Sequence, residues 1–197
     1  MVKQLSTSLS DGILALSAFH ATYTIGRGNL AASFGFALIG SAATAGVLKF
    51  SQESPTDNLI YIHTTLAWLS SLIGVPALGA AYCQHVELNS LANVHYALGI
   101  AAIISWNVLN YKLQNLASTA VGGVALLSIA VICCLKFNPT GIIGAVLYVV
   151  AGLVIGIEGT LFGVLRVDWF HYALAVANIA LMLGLSQKEK LVFYKAK

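Results

Sequence analysis

Residues 116–137 read LASTAVGGVALLSIAVICCLKF, and the first twenty of them carry no charge. A helix rises about 1.5 Å per residue, so about 20 apolar residues cross the roughly 30 Å hydrocarbon core of a bilayer. A surface helix of a soluble protein would break such a run with a polar face. This stretch is therefore predicted to cross a membrane, and its neighbours on both sides repeat its character.

The whole chain of 197 residues is 58% hydrophobic and 9% charged, with a mean hydropathy of +0.85. Soluble domains carry about 25% charged residues. The predicted fold is all-α, a polytopic transmembrane helix bundle forming one membrane domain over 1–197. Seven spans are expected, at 9–25, 30–50, 59–83, 91–111, 116–137, 141–165 and 169–185. Between them lies turn chemistry: GRGN from Gly26, SQESPTDN from Ser51, QHVELNS from Gln84, KLQN from Lys112, NPT from Asn138 and RVD from Arg166. The first stretch is the least apolar, and a six-span bundle is the alternative. Lys3 gives only a thin basic region, and Asp11 and His20 interrupt the run behind it. The first segment is accordingly expected to be a retained helix rather than a cleaved signal.

The opening stretch has a near twin. NLASTAVGGVALLSIAVICCLKF from Asn115 resembles NLAASFGFALIGSAATAGVLKF from Asn29, and NVHYALGIAA from Asn93 resembles WFHYALAVAN from Trp169. The second span thus pairs with the fifth and the fourth with the seventh, in the same order. A duplicated three-helix unit, 29–111 and 115–186, would leave this pattern. An odd number of spans per unit inserts the second copy inverted, an arrangement recurrent among secondary transporters. Chance similarity within a small apolar alphabet is the competing explanation.

Seven spans put the termini on opposite faces. Arg27, Lys136 and the tail lysines Lys188, Lys190, Lys195 and Lys197 fall on one face; Lys3, Lys49, Lys112 and Arg166 fall on the other with Glu53, Asp57 and Asp168. The positive-inside rule makes the C-terminus cytosolic and the N-terminus extracytosolic. Small residues recur as Ser33, Ala37, Ser41 and Ala45, and as Gly152-x-x-x-Gly156 and Gly159-x-x-x-Gly163; such spacings suit close helix packing in lipid. Pro76 inside the third span is expected to kink it and free a backbone carbonyl.

Ionisable and amide side chains inside spans are costly and mark function by default. Glu158 stands out as a carboxylate in the later half of the sixth span. His63 and His171 are placed near the same face, with Asn107 and Asn110 at similar depth. His171 and Asn178, seven residues apart, share a helix face. These residues suggest a proton or ion relay through Glu158, His63, His171, Asn178 and Asn107, since imidazole titrates near neutral pH. Interfacial anchoring of the histidines, beside the belt residues Tyr96, Trp169 and Tyr172, is the plainer use. For Glu158 it is contact with water or with Arg166.

The leading expectation is passage of a small polar solute or ion, proton-linked, through the bundle. Second is a non-catalytic accessory subunit packed in a larger membrane complex or a homo-oligomer. Third is a haem b redox protein with His63 and His171 as axial ligands. No resident metal is expected, because no H-x-x-x-H pair or CxxC occurs. The chain also lacks G-x-S-x-G and Walker-type loops, which argues against hydrolase and nucleotide-driven chemistry. Nor is there a basic face with interleaved aromatics to hold nucleic acid. The lipid bilayer is the one partner required.

Overall fold

The computed structural model describes residues 4–106 and 108–187, and of Tyr111 only the backbone. Asn107, Lys3 and the four tail lysines lie outside the described residues. The described chain is helical almost throughout. Its elements are α1 (Leu5–Ile25), α2 (Leu30–Phe50), α3 (Asp57–Leu69), α4 (Val75–His85), α5 (Asn89–Ser105), α6 (Tyr111–Leu135), α7 (Pro139–Val149) and α8 (Arg166–Ser186). A π turn, Ser70–Gly74, fuses α3 and α4 into one rod, and a second, Val150–Ile155, extends α7.

Four helices are long and apolar enough to cross a membrane: Leu30–Phe50, Asp57–His85, Lys112–Leu135 and Arg166–Ser186, with Pro139–Ile155 apolar but shorter. Packing is inverted relative to a water-soluble core. The buried positions are dominated by small residues, such as Ala18, Ala21, Ala32, Ala80, Ala81, Ala125, Ala151 and Ala177. Leucines, isoleucines and phenylalanines such as Leu16, Ile104, Leu127 and Leu153 point outward. Lipid solvates such side chains, so close backbone approach becomes the main packing gain.

Helix boundaries follow local chemistry. Asn29, Asn110 and Asn138 each cap a helix by accepting a bond from a backbone N–H three residues on. Pro139 sits in the first turn of α7, where its missing N–H costs nothing. Pro76 lies just after the π turn, in the first turn of α4. It cannot bond the carbonyl of Leu72, and the π turn just before it opens the helix there. Leu72 O lies so close to α5 that a Cβ on Gly99 would come within 2.6 Å of it. Gly74 O is placed likewise against Gly35 of α2, at 2.7 Å from where a Cβ would stand. Both carbonyls thus face glycines, Gly99 and Gly35, that let neighbouring backbones approach.

The sixth span ends earlier than expected. Its helix stops at Ile155 rather than continuing to 165, and a two-stranded hairpin, β1 (Thr160–Leu161) with β2 (Val164–Leu165), precedes α8. Gly156, Gly159 and Gly163 adopt positive φ of 66°, 84° and 78°, a region that glycine enters without steric cost. These glycines therefore turn the chain and do not pack helices. Gly152 likewise meets no atom within 4 Å of where its Cβ would stand. The close contacts in this half belong instead to Gly141 and Gly144 of α7, and to Gly184 of α8. In α2 they fall on Gly35, Gly40 and Gly46; of the line Ser33, Ala37, Ser41 and Ala45, Ala45 alone is buried and the others are half-buried.

α1 and α8 lie side by side in parallel, because Ser10 meets His171 and Ser17 meets Asn178, each seven residues farther along. α2 returns antiparallel beside α1, tied by Ser8 Oγ donating to Val47 O and by Gln4 N–H donating to Phe50 O. α7 runs antiparallel to α8, with Tyr148 bonded to Asn178 and Asn138 to Gly184 O. The start of α1, the end of α2, the start of α3 and the start of α8 therefore meet at one end of the bundle.

Candidate functional site: a buried polar cluster

That shared end holds the candidate site. Thr7, Ser10 and Asp11 occupy one face of α1, at i, i+3 and i+4, and all three are buried. Asp168 and His171 face them from the first turns of α8. Asp11 is 2% exposed and Asp168 1% exposed.

The groups form a connected chain. Lys49 Nζ lies 3.4 Å from His63 Nδ1, and Phe50 stacks edge-on against the His63 ring at 5.7 Å between centroids. Lys49 is within electrostatic range of Asp11, as is Asp168. Asp11 Oδ1 is 3.5 Å from His171 Nδ1. His171 Nδ1 is also 3.0 Å from Ser10 Oγ, and Ser10 Oγ is 3.3 Å from Asp168 Oδ1. With its proton on Nδ1, His171 donates to Ser10, leaving the Ser10 hydroxyl free to donate to Asp168 or to Thr7 O at 3.0 Å. His63 lies within electrostatic range of His171 and completes the group.

Helix contacts fix this arrangement tightly. The Asp11 carboxylate fills the space where a side chain at Gly46 would be: a Cβ there would stand 2.6 Å from Cγ and 2.9 Å from Oδ1. The missing side chain at Gly46 of α2 therefore leaves the room that Asp11 fills.

Three buried oxygens have no partner among the described residues: Asp11 Oδ2, Asp168 Oδ2 and Thr7 Oγ1. Unmatched buried polar atoms are rare and costly, so each marks a place for a proton, a water or an ion. Charge gives the same indication. Among the described residues the cluster sets two carboxylates against one ammonium, and one more positive charge makes it neutral. A buried uncompensated charge costs several kcal/mol, which favours uptake of one proton or one monovalent cation. Among the described residues no group of three or more His, Cys, Asp or Glu side chains has metal-binding geometry.

A second station lies two turns deeper on α8, about 10 Å along its axis at ~1.5 Å per residue. Asn178 is fully buried; its Oδ1 accepts from the Tyr148 hydroxyl, and its Nδ2 is 3.4 Å from Ser17 Oγ. Farther on, Tyr82 donates to Leu181 O and Asn138 to Gly184 O, each at 2.8 Å. Polar contacts thus recur along one face of α8 over most of its length.

Of the residues singled out by sequence, the structure gathers His63, His171 and Asn178 along this line. Asn107 lies outside the described residues. Glu158 is exposed, in the loop between Ile155 and the hairpin rather than in a helix. Arg166 turns its guanidinium to Ile155 O at 3.1 Å. Sequence reasoning passed over Asp11, Ser10, Lys49, Asp168 and Tyr148. The signal for Asp11 was present, an ionisable residue inside an apolar run; Asp168 and His171 at i, i+3 was another. Comparison with protein-family models, with curated proteins and with solved structures returns no match.

Proposed function

We propose that this chain is a seven-span membrane protein that moves a small polar solute or ion by a proton-linked route. The observation that carries the proposal is the charge imbalance of the buried cluster among the described residues, two carboxylates against one ammonium with three oxygens unpartnered. On that count the site has a stable neutral form only after taking up a positive charge. Asp11 and Asp168 hold that charge, His171 and Ser10 pass it between them, and Lys49 with His63 guard the approach from the nearer face. Asn178, with Tyr148 and Ser17, forms the next station inward. Glu158 stands on the exposed rim and collects cations by its charge.

The seven crossings comprise α1, α2, the α3–α4 rod, α5, α6, α7 with its π turn, and α8. At 17 residues, α5 falls at the short end of the spanning range of about 17–25. The inverted repeat of 29–111 and 115–186 belongs to the same proposal, supported by a π turn in the middle rod of each unit. The lysine-bearing tail is cytosolic and the cluster opens toward the other side.

The test is proton flux into liposomes containing the purified protein. The expected result is flux in the parent, loss in Asp11→Asn and Asp168→Asn, and reduced flux in Glu158→Gln, with helix content unchanged in each. Parent-like flux in both aspartate variants would remove the relay. No flux from the pure parent would favour the accessory-subunit alternative, and a Soret band in that preparation would make His63 and His171 haem ligands.

A further inference from the structure

At the opposite end of the bundle, where α1 turns into α2, lies a cleft of about 620 Å³. It is remote from the buried cluster and owes nothing to the proton-linked reading. Its polar wall carries Arg27, His85, Gln84 and Tyr96, and its apolar wall includes Leu30 and Leu185. Among the described residues no carboxylate lines it. Among the described residues no side-chain hydrogen bond or ion pair engages the Arg27 guanidinium, which lines the cleft.

The walls are pinned by hydrogen bonds. Asn29 Nδ2 donates to Ala81 O at 3.2 Å, fastening the α1–α2 turn to α4, and Ser33 Oγ donates to Gly26 O within the turn. Gln84 Nε2 donates to the Tyr96 hydroxyl at 3.2 Å. That orients the hydroxyl oxygen as an acceptor and leaves its own proton to point elsewhere. The cleft thus offers a guanidinium, an imidazole and a phenolic O–H, with no acceptor charge among the described lining residues.

We infer that this cleft binds a phosphate-bearing anion. A guanidinium matches phosphate oxygens in a fork of two parallel bonds, and basic pockets between helix ends at a membrane surface suit anionic lipid headgroups. Size favours the lipid over free phosphate, because 620 Å³ exceeds one phosphate several-fold. Leu30, 71% exposed at the rim, continues into the lipid-facing surface, where acyl chains would lie.

The experiment compares thermal unfolding of the detergent-purified full chain with added phosphatidylglycerol, phosphatidylcholine or inorganic phosphate. The proteins are the parent, the double variant Arg27→Gln/His85→Gln, and Lys112→Gln as a control from the other end. Retained lipids are counted by native mass spectrometry. Phosphatidylglycerol is expected to raise the parent's Tm by several degrees over phosphatidylcholine and to leave one tightly held lipid. Both effects should vanish in the double variant and persist in Lys112→Gln. A shift with inorganic phosphate that also depends on Arg27 and His85 would keep the phosphate site and assign it to a soluble ligand. Equal lipid shifts and equal lipid retention in the parent and the double variant would overturn the site, assigning the effect to diffuse charge such as the tail lysines.

Discussion

Replacing Gly46 by alanine tests the buried cluster through packing alone. The added methyl would overlap the Asp11 carboxylate, which sits 2.6 Å from it at Cγ, so the carboxylate must rotate away from His171. Overpacking a filled site costs about 1–3 kcal/mol. Alanine returns about 1 kcal/mol of helix propensity over glycine. The net expectation is a loss of about 0–2 kcal/mol, the difference of those two figures. In a chain of 197 residues a change of 1 kcal/mol moves Tm by roughly 2–4 °C. In an Asp11→Ala background the overlap is gone and only the propensity gain remains, so Gly46→Ala should raise Tm by roughly 2–4 °C there. The assay is thermal unfolding of all four proteins in one detergent, read as a double-mutant cycle. Direct neighbours couple by about 0.5–3 kcal/mol. Equal effects of Gly46→Ala in the two backgrounds would show that Asp11 does not occupy that space, and the cluster would lose its centre.

Two further variants probe the rest of the framework. Tyr148→Phe removes the donor to Asn178 Oδ1 in a fully buried setting; a loss of about 1–3 kcal/mol is expected, and an unchanged Tm would mean that Asn178 is satisfied otherwise. Gly99→Ala puts a methyl against the rigid carbonyl of Leu72, with an expected cost of about 1–3 kcal/mol or more. Gly122→Ala on α6 meets nothing within 4 Å and should be neutral or stabilising by up to ~1 kcal/mol. Matching melting curves for the two glycine variants would refute the close approach of the π turn Ser70–Gly74 to α5.

The helical membrane character was legible in the sequence because it rests on length and composition, which add along a segment. The span 30–50 coincides with α2 to the residue. The sixth span failed because apolar side chains continue past Ile155 in Leu161, Phe162, Val164 and Leu165 while the backbone has already left the helix. Hydropathy reports side chains, whereas the three positive-φ glycines act on the backbone. The same misjudged boundary placed Glu158 inside the bundle. His171 and Asn178 were recognisable by their seven-residue spacing, a property of one helix. Asp11 with Gly46, and Ser10 with Asp168, are contacts between helices, and no spacing along the chain encodes them.

α1 shows why an average can mislead about a crossing. It is 21 residues long, yet its stretch is the least apolar of the seven, which is what made a six-span bundle the alternative. Of the residues that depress its average, Ser10, Asp11 and Ser17 face α8, while His20 is exposed. Its outward side carries Leu5, Leu9, Ile13, Leu16, Phe19 and Tyr23, spaced by three or four residues and therefore one continuous helical stripe. For a helix inside a bundle the cost of crossing would be set by the outward face and not by the mean. On α1 that face is apolar apart from the exposed His20. The polarity that obscures α1 in a hydropathy average is the polarity that builds the buried cluster, so the weakest span in the sequence supplies Asp11 and Ser10 to the proposed site.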